Sequence, residues 1–199
     1  MDLKGFEGWV GIVDQPFLTR LRQGRVGRRA FEGWLVQERC LYEGILGLQT
    51  SLLRRAPPPH RLIVAQALVI TIEELDWMES LELPNLPVHP VRLEYLDFLE
   101  TLEHESYEVG TVAHWVRQRA FFDAWRSLGP LEDLPGEFSE HWLAPETQAL
   151  THDLGSLALE AANNLPQGVV DEWVARVLAQ EQSSWQMALQ VAFSSGPLD

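Results

Sequence analysis

Apolar residues along this chain recur at steps of three and four, and proline and glycine cut the periodic stretches apart. That pattern predicts helices throughout. Residues 2–13 make a first helix, weakened by Gly5, Gly8 and Gly11. Pro16 opens a short second one through Phe17, Leu18 and Leu21, which Gly24 and Gly27 end. From Arg28 to Arg55 a long helix carries Phe31, Trp34, Leu35, Glu38, Leu41, Tyr42, Ile45, Leu48 and Leu52 on one side. The run Ala56-Pro57-Pro58-Pro59 stops it. The next helix spans about His60 to Leu81, and its first half is apolar nearly all round, which predicts deep burial. Pro84 and Pro87 lie in a loop, and Pro90 opens a helix with Leu93, Tyr95, Leu96, Phe98, Leu99 and Leu102. Another runs from about Tyr107 to Leu128, after which Gly129-Pro130 and Pro135-Gly136 punctuate the chain. Residues 137–165 are helical, with Pro145 expected to kink or split them, and a last helix covers 169–192. No stretch alternates strictly, so no strand is predicted. Long helices joined by short loops pack as an antiparallel bundle.

The length of 199 residues suits one helical domain, 1–199, with a full core. The formal net charge of -14 disfavours nucleic acid and anionic membrane surfaces as partners. No apolar run is long enough to span a membrane, and the acidic N-terminal stretch does not read as a signal peptide. Cys40 is the single cysteine and has no intrachain partner, which fits a reducing compartment, so the protein is expected in the cytoplasm. Eight tryptophans are enough to fill spaces between long helices or to wall a concave pocket.

Phosphate-binding glycine loops, HExxH, CxxC and Glu-x-x-His pairs are all absent from the sequence. The six histidines do not pair at helical spacing in a buried-looking segment. No metal site and no cofactor is expected. Carboxylates on apolar faces are more telling, because an isolated buried charge is costly. Glu38 sits between Trp34/Leu35 and Leu41/Tyr42, and Glu181 between Val177/Leu178 and Trp185. Glu73 or Glu74 follows Val69 and Ile70 in the same manner. Such groups either pair with internal arginines such as Arg39, Arg117 or Arg119, or line a pocket able to hold a cationic or amidine-like ligand or to move protons.

The segment Gln15-Pro16-Phe17-Leu18 … Leu21 … Gly24-Arg25-Val26 … Phe31 … Trp34-Leu35-Val36-Gln37-Glu38 resembles the N-terminal signature of the TenA / thiaminase II family. Glu181-x-x-x-Trp185-x-Met187-Ala188 is similar to its closing motif. The resemblance covers roughly residues 10–190. It implies a heme oxygenase-like bundle of about seven helices with a central pocket, and a homo-oligomer, dimer or tetramer. Carried over, Glu181 matches the family's catalytic glutamate. Glu38 stands where the family has an aspartate that binds an aminopyrimidine. The tyrosine expected three residues later is Leu41, with Tyr42 beside it. Trp34, Tyr42, Trp115, Phe121 and Trp185 would supply stacking walls.

The chain departs from the family where the nucleophile should be. The helix from about Tyr107 to Leu128 contains no cysteine; Arg117 falls near that position and Phe121 where a tyrosine is expected. A further family tyrosine falls near Glu146. Thiaminase cleavage needs a thiolate, and arginine cannot provide one. Cys40 lies about 200° around the helix from Glu38 and reads as a core residue. The resemblance therefore implies a TenA-like protein that binds or hydrolyses a small aminopyrimidine-type heterocycle, without thiaminase activity. A non-catalytic ligand-sensing or interaction protein of the same fold is one alternative. A relative of PqqC or the dimetal oxidases is another.

Overall fold

Proline fixes where several helices begin. The computed structural model describes residues 9–194, in which nine α-helices follow one another: α1 Trp9–Val13, α2 Pro16–Arg22, α3 Arg28–Arg55, α4 Arg61–Ser80, α5 Pro90–His104, α6 Tyr107–Arg126, α7 Asp133–Trp142, α8 Pro145–Ala162 and α9 Gln167–Ser194. Pro16, Pro90 and Pro145 each occupy a first-turn position, where a missing N–H costs nothing. Side chains cap two starts: Ser106 Oγ accepts the Val109 N–H, and His89 Nδ1 accepts that of Val91. Helix α2 stops in a left-handed turn at Gly24, φ 63°. There the Gly24 N–H donates to Leu21 O and the Arg25 N–H to Arg20 O, a pattern that a side chain at Gly24 would strain.

Helix α3 is the axis of the bundle, packing against α4, α5, α6 and α9, while α6 lies between α8 and α9. The interior is aromatic at one end. The Trp34 ring lies 5.2–5.9 Å from those of Phe17, Phe31, Trp125, Trp142 and Trp185. The loop at 81–89 is tied down by one amide of α3: Gln37 Nε2 donates to Pro87 O and Gln37 Oε1 accepts the His89 N–H. That pairing sets the start of α5 against α3.

The architecture is the all-α bundle that the periodicity predicts, with three differences. The predicted first helix is helical from Trp9 to Val13, and its residues 2–8 lie outside the described region. The predicted helix at 137–165 is two helices, α7 and α8, separated before Pro145, and α7 starts earlier, at Asp133. Pro135 and Gly136 therefore sit in the first turn of α7, where proline is tolerated. The third difference is α4. Its apolar first half is not deeply buried: Leu62 is 72% exposed and Val69 51%. Only the stripe Val64, Ala67, Thr71, Glu74 and Met78 is covered, because α4 packs on α3 and α8 from the outside. No helix among the described residues is long and apolar enough to cross a membrane.

Candidate functional site

Helical spacing brings polar side chains of five helices into one region of the interior. Glu38 and Tyr42 are one turn apart on α3, Arg92 and Tyr95 on α5, Glu181 and Ser184 on α9; Arg117 comes from α6 and Glu74 from α4, and all are buried. Arg92 Nη2 donates to Glu38 Oε1 at 2.5 Å and to Ser184 Oγ at 3.0 Å. The Tyr95 hydroxyl donates to Glu181 Oε1. Glu74 accepts from the Trp142 indole N–H at 3.0 Å and pairs with His141 Nε2 at 2.5 Å. His141 is half-exposed, so Glu74 connects the interior to the surface. The guanidinium of Arg117 lies over the rings of Tyr42 and Phe121, 5.3 and 4.9 Å from their centroids.

Glu38 and Glu181 are close enough to act on each other electrostatically. Burial pushes the Glu181 carboxyl above the usual carboxylate range, against the pull of Arg117 and the Tyr95 hydrogen bond, and the Glu38 charge adds to the rise. Burial likewise raises Glu74, with His141 opposing it. The Tyr42 and Tyr95 hydroxyls are pushed up by burial and then by Glu74 and Glu181 respectively, and stay protonated donors. The region thus holds a carboxyl able to give or take a proton, rather than a plain row of fixed ion pairs.

The sequence-derived residues divide into three groups. Glu38, Glu181, Tyr42 and Phe121 gather around Arg117. Trp34 and Trp185 belong to the adjoining aromatic cluster, stacked on each other with ring centroids 5.9 Å apart, and Phe121 stacks on Trp185 at 6.3 Å. Trp115 lies elsewhere, over Gly155 of α8, where a Cβ would sit 2.9 Å from the indole nitrogen. Glu146 is exposed in the first turn of α8. Of the arginines expected as partners, Arg119 pairs with Asp123 instead, and Glu38 takes Arg92. Arg92, Tyr95 and Ser184 were not anticipated. The signal for Arg92 was present, since it shares one stripe of α5 with Tyr95, Leu99 and Leu102. Glu74, not the exposed Glu73, is the buried acid of α4. Cys40 is half-buried rather than in the core, and burial pushes its thiol up, away from the thiolate form.

Open space in this region is small. A cavity of about 20 Å³ lies between α3, α4, α6 and α8, lined among others by Tyr42, Thr71, Glu74, His114, Arg117 and Phe121. It is large enough for about one water. No group of three or more His, Cys, Asp or Glu suited to a metal ion occurs among the described residues.

His114, at the cavity wall, gives a pH test. Its Nε2 lies 3.3 Å from Gln49 Nε2, and burial, with Arg117 adding to it, lowers the ring from 6.5 to about 4. Between those values the folded ring is neutral while the unfolded one is charged. Its contribution is full above about pH 6.5 and is lost as pH falls toward about 4. His114→Gln removes that dependence. The stability difference between wild type and variant should shrink by up to roughly 3 kcal/mol from neutral pH to about 4, as read by urea titrations. A difference that stays constant with pH would refute the assignment.

By sequence the chain matches no protein-family model and no curated protein. Its structure does match solved ones. A TenA homologue from Pyrococcus furiosus superposes with a TM-score of 0.81 at 18% identity, over 94% of each chain. A TenA family transcription regulator from a Silicibacter species gives 0.81 at 15%, over 92% of this chain and 91% of that one. A TenA homologue from P. horikoshii gives 0.74 at 17%, over 92% and 93%. The chain has the all-α fold of the TenA homologues.

Proposed function

We propose that this protein is a TenA-type small-molecule site that binds an aminopyrimidine-type heterocycle and does not cleave thiamine. The observation that carries the reading is the company Arg117 keeps. It stands among Glu38, Glu181 and Tyr42, on the helix where the sequence resemblance expects a nucleophilic cysteine. Glu38 would accept hydrogen bonds from an amino-substituted ring. If the site hydrolyses its ligand, Glu181 is the group to take a proton from water and return it to the leaving nitrogen, since its carboxyl titrates above the usual range. Arg117 and the high thiol of Cys40 leave no thiolate for a thiaminase step.

Calorimetry and thermal-shift measurements with aminomethyl- and formylamino-pyrimidines test the reading, alongside chromatographic assay of thiamine. Expected are saturable pyrimidine binding, weakened at least about tenfold by Glu38→Gln, and no thiamine turnover. Turnover of thiamine, or binding indifferent to Glu38, sinks the reading. A second reading, a non-catalytic sensing or interaction protein, is favoured by the smallness of the cavity beside Arg117, about 20 Å³. Absence of any pyrimidine shift would select it. Self-association, with the exposed apolar residues Leu62, Val69 and Ile72 of α4 as the contact surface, is part of the proposal. So is a cytoplasmic location.

A further inference from the structure

Arg117 is only 4% exposed, yet no carboxylate among the described residues forms an ion pair with it. Its Nη1 donates to Gln118 Oε1 at 3.3 Å. Its Nε and Nη2 are buried without a hydrogen-bond partner. Those two nitrogens form one edge of the guanidinium plane, the fork whose parallel N–H bonds match both oxygens of a carboxylate. The guanidinium carbon lies over the Tyr42 and Phe121 rings and the Tyr42 hydroxyl also interacts with it, while the Nε and Nη2 edge is left without an acceptor. The acids nearby are engaged: Glu38 with Arg92, Glu74 with His141 and Trp142, Glu181 with Tyr95. Glu181 and Glu38 act on the Arg117 charge through space, but its Nε and Nη2 donors are unmet, and an arriving anion would supply their acceptors.

We propose that the Arg117 edge is a carboxylate subsite, taking the acid group of a small organic ligand in the cavity between α4 and α8. The proposal rests on the reading of this interior as a ligand site and adds the ligand's charged group. Half-buried Ile70, Gln118 and Thr147 line the same cavity, and anything larger than water needs lining side chains to shift. The acid group could come with a free small acid or with a carboxylated heterocycle, and the experiment separates the two.

The full-length protein is titrated with sodium formate and sodium acetate against sodium chloride at equal ionic strength. Parallel titrations use an aminopyrimidine carboxylic acid and an aminopyrimidine without the acid group. Expected is a saturable rise in Tm with carboxylates that chloride does not give. Arg117→Lys keeps the charge but loses the fork, and should weaken carboxylate binding at least about tenfold. Gln118→Glu, at a half-exposed position, places a competing acid beside the guanidinium and should weaken it as well, which keeps the test open should Arg117→Lys fold poorly. Tight binding of formate or acetate identifies a free acid; binding only of the carboxylated pyrimidine identifies the heterocycle. No carboxylate-specific rise, or one that both variants retain, overturns the subsite. If the acid-free pyrimidine binds while carboxylates do not, the subsite falls and the proposed function stands. If carboxylates bind and no pyrimidine does, the reverse holds.

Discussion

Trp34→Ala is expected to remove about 3–5 kcal/mol of stability, the range for truncating a fully buried tryptophan. Trp34 is 1% exposed and touches five other aromatic rings contributed by α2, α3, α6, α7 and α9. An alanine there empties a space walled by rigid rings from five helices, which cannot all move inward to close it. The loss should place the variant near the higher end of that range, because cavity cost grows with the volume left unfilled. Urea denaturation should show a lower midpoint with an unchanged slope, since the fold and its buried surface persist. A loss under about 1.5 kcal/mol would mean that the cluster relaxes around the gap, in contrast to its tight interlocking.

Arg92→Ala should cost a similar amount, about 3–5 kcal/mol, for a different reason. The side chains of Arg92 and Glu38 are almost wholly withdrawn from solvent, at 0% and 4% exposure, and linked at 2.5 Å. Cutting one partner leaves Glu38 as a buried charge with its main donor gone, and Ser184 Oγ loses a donor too. Replacing both members, Arg92→Met with Glu38→Met, should restore stability to within about 1 kcal/mol of wild type, because the uncompensated charge disappears with its partner. The double-mutant cycle then separates the pair from packing. A single variant as stable as wild type would show that Glu38 is satisfied by another group.

Helix positions were legible because each long element carries its own period and its own stop. Ala56-Pro57-Pro58 ends α3, and Pro90 and Pro145 open α5 and α8. The exposure of α4 was not legible. Its first half is apolar nearly all round, and whether such a stretch is enclosed or lies outside depends on how many neighbours reach it, which a local pattern does not encode. The site was read in part for a similar reason. Glu38 and Glu181 stand out against apolar neighbours, but their partners come from α5, distant in the chain. Arg92 pairs with Glu38 because α3 and α5 lie side by side, a tertiary fact. Trp115 shows the converse: its residue type and apolar surroundings suited a pocket wall, and the packing of α6 on α8 turned it toward Gly155.

The stacked indoles also make the interior optically legible. Trp185 lies one helical turn after Glu181 on α9 and overlies Trp34 at an interplanar angle of 22°. Fixed, asymmetric indole pairs held this close give near-ultraviolet circular dichroism that depends on their mutual orientation. A ligand whose binding shifts Trp185 against Trp34 would change that signal. The indole pair thus offers a label-free signal that ligand titrations can read alongside the thermal shifts.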